Sequence, residues 1–579
     1  MNPDNILILP GWLSSGPDHW QSRWERDHGY TRVEQHDWQR PLRGDWIARL
    51  EEMLLGCTEP AVLVAHSLGC LTVAAWAVHS QNTHLVKAAL LVAPPDTARE
   101  DIAQTLPGWA VDQLPLQKLP FTTVVFASSN DPFCALDRAE QFAQAWGSAF
   151  QSVGARGHIN VDSGLGDWLD AHAQLQQLIA TAHAAPDENL LGKSQGYPTG
   201  NAITWASNPN RVGSWSALHT VPGIQSRKVA RATAVRPLAS AVQPAPIAYR
   251  YRNTDYTLAD YLQRQRATGL LVLKNGEIAA EHYRYGRKDD ARFLSFSLSK
   301  SITALLVGAA LARGSIASLD DTAETYAKTL AGSPYGATTL RHLLRMGSGL
   351  TFGERYDGSD DIARLSRASA GEPGAGTPAE VLRSITSRHS PAGQKFVYAS
   401  AETDVLGRVL AEATGKNLGE LTHDWLWQPL GAEHDAYWRI GTDGQEQAYG
   451  AFSASLRDWA RVGLLIANDG KVGAQQIVAR EYLLDATDPN RQPAAFRPGV
   501  ATEYFGYGYQ FWLLPMKERT LAMQGMHGQT IYVQPASGIV MVLTSVWEFA
   551  SDKQDPQPYQ ERDALWRGAL RSLGGSTAK

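Results

Sequence analysis

Residues 61–79 read AVLVAHSLGCLTVAAWAVH. The apolar run AVLVA (61–65) has the length and continuity of a strand buried on both faces, and it passes through His66, Ser67, Leu68 and Gly69 into the apolar helix CLTVAAWAVH. A serine on so sharp a strand-to-helix turn is held out of the sheet with its hydroxyl exposed. The helix N-terminus beside it, beginning at Leu68, offers backbone N–H groups to a developing oxyanion. The stretch therefore reads as a nucleophile elbow. Small residues flank the serine because the turn brings backbones close, and Ala65 stands where the GxSxG pattern has its leading glycine.

Working outward, ILIL (6–9), KAALLVA (87–93) and TTVVFAS (122–128) repeat the buried-strand pattern, each followed by a turn and a helical stretch. That alternation predicts an α/β fold with a parallel sheet in three αβα layers. The loop SSNDPF places Asp131 after one strand, and ARGHIN places His158 in a Gly-flanked loop further on. The order Ser67, Asp131, His158 is the one this fold needs to bring a nucleophile, an orienting carboxylate and a base to one sheet edge. Serine is a poor nucleophile until a histidine accepts its proton. The loop PGWLSSG after the first strand supplies a second oxyanion donor near Trp12.

Beyond the helix DWLDAHAQLQQLIATAHA (167–184) periodicity fades into Pro, Gly and polar residues, which predicts domains at 1–182 and 191–579 joined by a linker at 183–190. The second half has a different grammar. ATGLLVLKNGEIAAEHYRYG (267–286) is a hairpin turning on Asn275 and Gly276, and QTIYVQPASGIVMVLTS (529–545) is a second pair of strands. Strands at both ends of a helical middle predict an α+β domain with an antiparallel sheet. Within it, FLSFSLSKSITALLVGAALA (293–312) is an apolar helix opening on Ser297 and Lys300, one turn apart on the same face. A lysine can act as the base for that serine once burial lowers its pKa. KFVYASAETDVLGRVL (395–410) adds Tyr398, a phenol able to relay a proton, and Ser400. QGMHGQTIYV (524–533) adds His527, Gly528 and Gln529 on a strand edge that would flank an acyl group. The N–H of Ser297 and of a residue near Gln529 would form the oxyanion hole.

Composition narrows the function classes. Residues 1–185 carry 11 Lys and Arg against 20 Asp and Glu, and the remainder 42 against 38, with no dense basic run in either part. Nucleic-acid binding, which draws on many phosphate contacts, is not expected. The three cysteines, Cys57, Cys70 and Cys134, have neither CxxC nor metal-ligand spacing, so no disulfide, metal or cofactor is expected. No apolar run approaches the ~20 residues that span a bilayer, and the opening MNPDNILILPGW reads as a strand rather than a signal sequence. These features predict a soluble cytoplasmic enzyme acting on small molecules, with no membrane partner.

Two resemblances follow from the motifs. Residues 4–180, through SGPDHWQSRWE, RVEQHDW, AHSLGC, SSNDPF and GHINVDSGLGDW, resemble the compact serine hydrolases that include the retinoblastoma-binding serine hydrolase and its bacterial relatives. The resemblance implies an α/β-hydrolase acting on esters or amides. Residues ~190–570, through GYPTGNAITW, TTLRHLLRMGSGL, LWQPLGAEHDAYW, SLRDWARVGLL and FGYGYQFW, are similar to the serine hydrolases related to class C β-lactamases and penicillin-binding proteins, particularly the branch with aminohexanoate-dimer hydrolases. Carried over, the second resemblance makes Ser297 the nucleophile, Lys300 its base, Tyr398 the proton relay and Tyr356 a substrate contact. Ser400 stands where many β-lactamases have Asn, and HGQ where they have KTG, which removes a cation and turns the expectation from β-lactams towards esters or linear amides. The expected activity is a bifunctional serine hydrolase. Two alternatives stay open at this point: a catalytic second domain with a binding or regulatory first one, and a cell-wall enzyme of the β-lactamase or D-Ala-D-Ala carboxypeptidase kind.

Overall fold

The computed structural model describes residues 5–57, 60–110, 116–182, 188–241, 246–252, 254–356 and 358–578. Most of the expected linker, residues 183–187, lies outside them. The chain divides into two compact units, Met1–Ala185 and Pro186–Lys579.

The first unit is built on a six-stranded parallel sheet: β1 (Ile6–Leu9), β2 (Thr31–Arg32), β3 (Ala61–His66), β4 (Val86–Val92), β5 (Thr122–Ala127) and β6 (Ala149–Ser152), in the order β2-β1-β3-β4-β5-β6. Successive residues of a strand point to opposite faces, and here both faces are covered. Leu7, Leu9, Leu63, Ala65 and Leu91 pack on one side with Trp46, Trp76, Trp109 and Trp146. Ile6, Ile8, Val62, Val64 and Leu90 pack on the other with Trp20 and Trp24. This double burial is why the strands read as unbroken apolar runs. The helix α1 (Leu68–His79) leaves β3 directly, and nine of its residues, Leu68 to Trp76, are buried.

The second unit centres on a seven-stranded antiparallel sheet. Its spatial order is Glu277–Tyr283, Ala267–Lys274, Ile539–Ser545, Thr530–Gln534, Leu521–Gln524, Trp512–Leu513 and Gly506–Tyr507. The expected hairpin turns on Asn275 (φ 50°) and Gly276 (φ 85°), and its first strand pairs with Ile539–Ser545, more than 260 residues away in sequence. Leu271 and Leu273 face the larger core, which holds helix α2 (Ser299–Ala312) and helix α3 (Ser400–Thr414). Leu270 and Val272 face the smaller one, closed by Leu565 and Trp566 of helix α4 (Gln557–Ser572). A second antiparallel sheet of four short strands, Phe293–Leu294, Phe452–Ala454, Ala436–Arg439 and Ser226–Val229, leads the chain into α2. No helix among the described residues is long and apolar enough to cross a membrane.

Candidate functional sites

Ser67 occupies the turn between β3 and α1 with φ 52° and ψ −123°, a strained conformation for a residue with a Cβ. The turn is possible because its neighbours are glycines at close approach. A Cβ on Gly69 would lie 2.4 Å from the Leu9 carbonyl oxygen, and one on Gly11 would lie 2.6 Å from Ser67 Cβ and 3.1 Å from its Oγ. The Gly11–Trp12 peptide is thus laid against the serine. Among the described residues no protein acceptor takes the N–H of Trp12 or of Leu68. The Trp12 indole is exposed and donates to Gln39 O (3.1 Å).

The loops after β5 and β6 complete the arrangement. Ser67 Oγ lies 2.8 Å from His158 Nε2, and His158 Nδ1 lies 2.9 Å from both oxygens of Asp131. The Asp131 carboxylate also accepts from Phe133 N (2.9 Å), and only 3% of its side chain is exposed. His66 donates from Nε2 to the His158 carbonyl (2.9 Å), and Phe133 packs edge-on to the His158 ring. Burial pushes the His19 pKa down to about 4 and that of His66 well below its usual value, so both stay neutral beside His158.

In the second unit Ser297 sits on a 3₁₀ turn, Phe296–Leu298, that runs straight into α2. Lys300 Nζ donates to Ser297 Oγ (2.8 Å) and to the Tyr449 carbonyl (2.6 Å), and it lies 5.0 Å from the centre of the Tyr398 ring. Lys300 is 2% exposed, and this burial lowers its pKa to about 8, against an opposing pull from the Glu354 carboxylate. Burial with the Glu354 charge raises the Tyr398 pKa, against an opposing pull from the Ser297 hydroxyl, which keeps the phenol protonated.

Glu354, which sequence reasoning passed over, organises the opposite wall. It accepts from Ser400 N and Oγ (both 2.7 Å) and from the Tyr356 hydroxyl (2.6 Å). Ser297, Glu354, Tyr356, Ser400, Arg439 and Tyr449 all line one cavity of about 340 Å³.

The HGQ segment departs from expectation. Neither His527, Gly528 nor Gln529 lines that cavity. The His527 ring packs on Trp215 and Phe296, its Nδ1 donates to Trp547 O (2.8 Å), and burial takes its pKa down to about 4. Gly528 has φ 91°, and a Cβ there would strike the Trp547 ring at 2.6 Å. The Gln529 amide is spent on backbone, donating to Ser545 O (2.6 Å) and accepting from Ser545 N (3.1 Å). Gly525 is pressed against Ser295 and Phe296, and neither the Ser297 nor the Gln529 N–H has a protein acceptor among the described residues. Those residues also contain no group of three or more His, Cys, Asp or Glu able to hold a metal ion.

Residues 254–565 match the family model described as Beta-lactamase, more than half of the chain. The chain belongs to the β-lactamase family. Residues 6–177 match the model described as Serine hydrolase, so a serine hydrolase unit precedes the β-lactamase-family unit in one hydrolytic enzyme. The 6-aminohexanoate-dimer hydrolase of Paenarthrobacter ureafaciens is 28% identical over 364 residues, covering 62% of this chain and 90% of that protein. A Bacillus anthracis structure bearing the same hydrolase name is 23% identical over 64% of this chain and 97% of its own, with a TM-score of 0.57, a likeness of fold. A YdeN-like hydrolase from Pectobacterium atrosepticum is 31% identical over 31% of this chain and 91% of its own, with a TM-score of 0.28.

Proposed function

We propose that both units are catalytic, each cleaving esters or amides through its own acyl-enzyme. The observation that carries this reading is that each unit holds a serine hydrogen-bonded to its base: Ser67 to His158, which is itself bonded to Asp131, and Ser297 to Lys300, whose ammonium lies 5.0 Å from the Tyr398 ring centre.

In the first unit His158 takes the Ser67 proton as the hydroxyl attacks the substrate carbonyl, and Asp131 holds the Nδ1–H tautomer and stabilises the imidazolium. The N–H groups of Leu68 and Trp12 receive the oxyanion, a donor of this kind being worth ~2.7–4 kcal/mol. His158 then returns the proton to the leaving group, and water enters by the same base to release the acid.

In the second unit Lys300 must be neutral to act. With a pKa of about 8, roughly one lysine in ten is neutral at pH 7, against about one in three thousand at the ordinary lysine value of 10.5. Neutral Lys300 accepts the Ser297 proton, the N–H groups of Ser297 and Gln529 hold the oxyanion, and the protonated Tyr398 passes a proton to the leaving group. The names of the two 6-aminohexanoate-dimer hydrolases support a linear amide or a related ester as substrate of this unit. The three unpaired cysteines suit a cytoplasmic location.

The test is a substrate panel against Ser67→Ala, Ser297→Ala and the double variant, using p-nitrophenyl esters, a linear aminohexanoate dimer and nitrocefin. The expected result is that each serine is needed for a different part of the panel and that nitrocefin is a poor substrate throughout. Turnover surviving in the double variant would remove both nucleophile assignments.

A further inference from the structure

Arg439 ends the strand Ala436–Arg439, where its backbone is fixed by N–H donation to Ala451 O (2.9 Å) and by acceptance from Gln447 N (3.0 Å). Its side chain lines the Ser297 cavity, with the guanidinium 5.8 Å from the centre of the Trp205 ring, which lines the same cavity. Buried arginines of this unit have partners: Arg408 pairs with Asp404 and Asp443 and Arg461 with Asp458 and Glu433, while Arg211 donates to Trp547 O and Arg345 to Gln492 Oε1. Among the described residues the Arg439 guanidinium has neither an ion pair nor a hydrogen bond.

The acids lining the same cavity are already engaged. Glu354 takes Ser400 and Tyr356, and Asp360 accepts from the N–H groups of Arg355, Tyr356 and Ala363. Partial burial lowers the Arg439 pKa, against an opposing pull from the Tyr449 hydroxyl. A half-buried guanidinium fork with no partner of its own suits bidentate binding of a planar anion, and the indole beside it adds cation–π support. The HGQ segment lacks the cation that KTG would provide, and Arg439 brings one into the cavity from a different strand.

We propose that Arg439, backed by Trp205, is a carboxylate-binding subsite, and that the substrate cleaved at Ser297 is an ester or amide carrying a free carboxylate. This rests on the reading of Ser297 as nucleophile.

The test uses Ser67→Ala protein, so that only the second unit turns over ester. Two matched pairs place the charge on either side of the scissile bond: mono-p-nitrophenyl adipate against p-nitrophenyl hexanoate, and 4-acetoxybenzoate against its methyl ester. With Arg439 present, kcat/KM is expected to favour the anionic member of at least one pair by about tenfold or more, the scale of one charge-assisted contact. Arg439→Gln should bring that ratio close to one, and Arg439→Lys should restore part of it. The ratio is taken within each variant, so loss of folded protein cancels. Should Arg439→Gln not fold, competitive inhibition of the Ser67→Ala protein by adipate but not by adipamide decides the same point. An absent preference, a ratio unchanged in Arg439→Gln, or equal inhibition by the two overturns the subsite. Turnover that survives Ser67→Ala/Ser297→Ala instead overturns the nucleophile assignment beneath it.

Discussion

The ionisation of Lys300 gives the second unit a pH profile that can be worked out in advance. The base must be neutral, so activity rises with pH until Lys300 has lost its proton. With a pKa of about 8, the neutral fraction is about 1% at pH 6, about 9% at pH 7 and about 91% at pH 9. The kcat/KM of Ser67→Ala protein for a neutral p-nitrophenyl ester should therefore climb about tenfold per unit up to pH 7 and flatten above pH 9. Glu354 supplies a second lever. Its carboxylate favours the charged lysine, so Glu354→Gln should move the rising limb towards lower pH. The assay is initial-rate hydrolysis from pH 6 to 10.5, corrected for hydroxide-driven background. A rising limb still unbroken at pH 10 would mean that Lys300 is not desolvated in the working enzyme. A limb displaced to higher pH in Glu354→Gln would refute the electrostatic argument.

Three further outcomes follow from particular contacts. Asp131→Asn should lower Ser67-dependent kcat by about 10⁴, because His158 loses the partner that fixes its tautomer, while leaving Ser297-dependent hydrolysis intact; the first is read as kcat in a Ser297→Ala background and the second in a Ser67→Ala background. Gly69→Ala drives a Cβ into the Leu9 carbonyl at 2.4 Å, and destabilisation of the first unit by ~1–3 kcal/mol should appear in denaturant melts followed by Trp fluorescence. Glu402 accepts from Ser348 Oγ (2.7 Å), and burial raises its pKa to about 8. A carboxyl raised above its unfolded value destabilises the fold progressively as pH climbs from about 4.5 through 8, on the order of 3 kcal/mol by pH 7. Glu402→Gln should accordingly match the native protein near pH 4 and exceed its melting temperature at pH 8.

How much of this was readable in advance depends on where the information sits along the chain. β1, β3, β4 and β5 announce themselves because burial on both faces leaves continuous apolar runs. β2 is two half-buried residues, Thr31 and Arg32, and β6 is the sheet's edge strand with three exposed residues, Ala149, Gln151 and Ser152, so neither carries a hydrophobic signature. Ser67 and Asp131 were legible because each follows an apolar strand, His158 because its Gly-flanked loop comes next in the Ser, Asp, His order, and Ser297 and Lys300 because one helical turn separates them. Glu354 and Arg439 were not. They are 85 residues apart, and only the tertiary fold puts both on one cavity. The HGQ tripeptide shows the same limit from the other side. Its place at the head of the strand Thr530–Gln534 follows from the apolar pattern, whereas the orientation of His527 is decided by contacts with Trp215 and Trp547 that the pattern does not encode.

The central claim is that one chain carries two independent serine nucleophiles. Its most direct test is the intact mass of the protein after saturation with a fluorophosphonate. Two adducts per chain are predicted, with Ser67→Ala and Ser297→Ala each retaining one, at Ser297 and Ser67 respectively. A single adduct on the native chain, abolished by either substitution alone, would contradict the account.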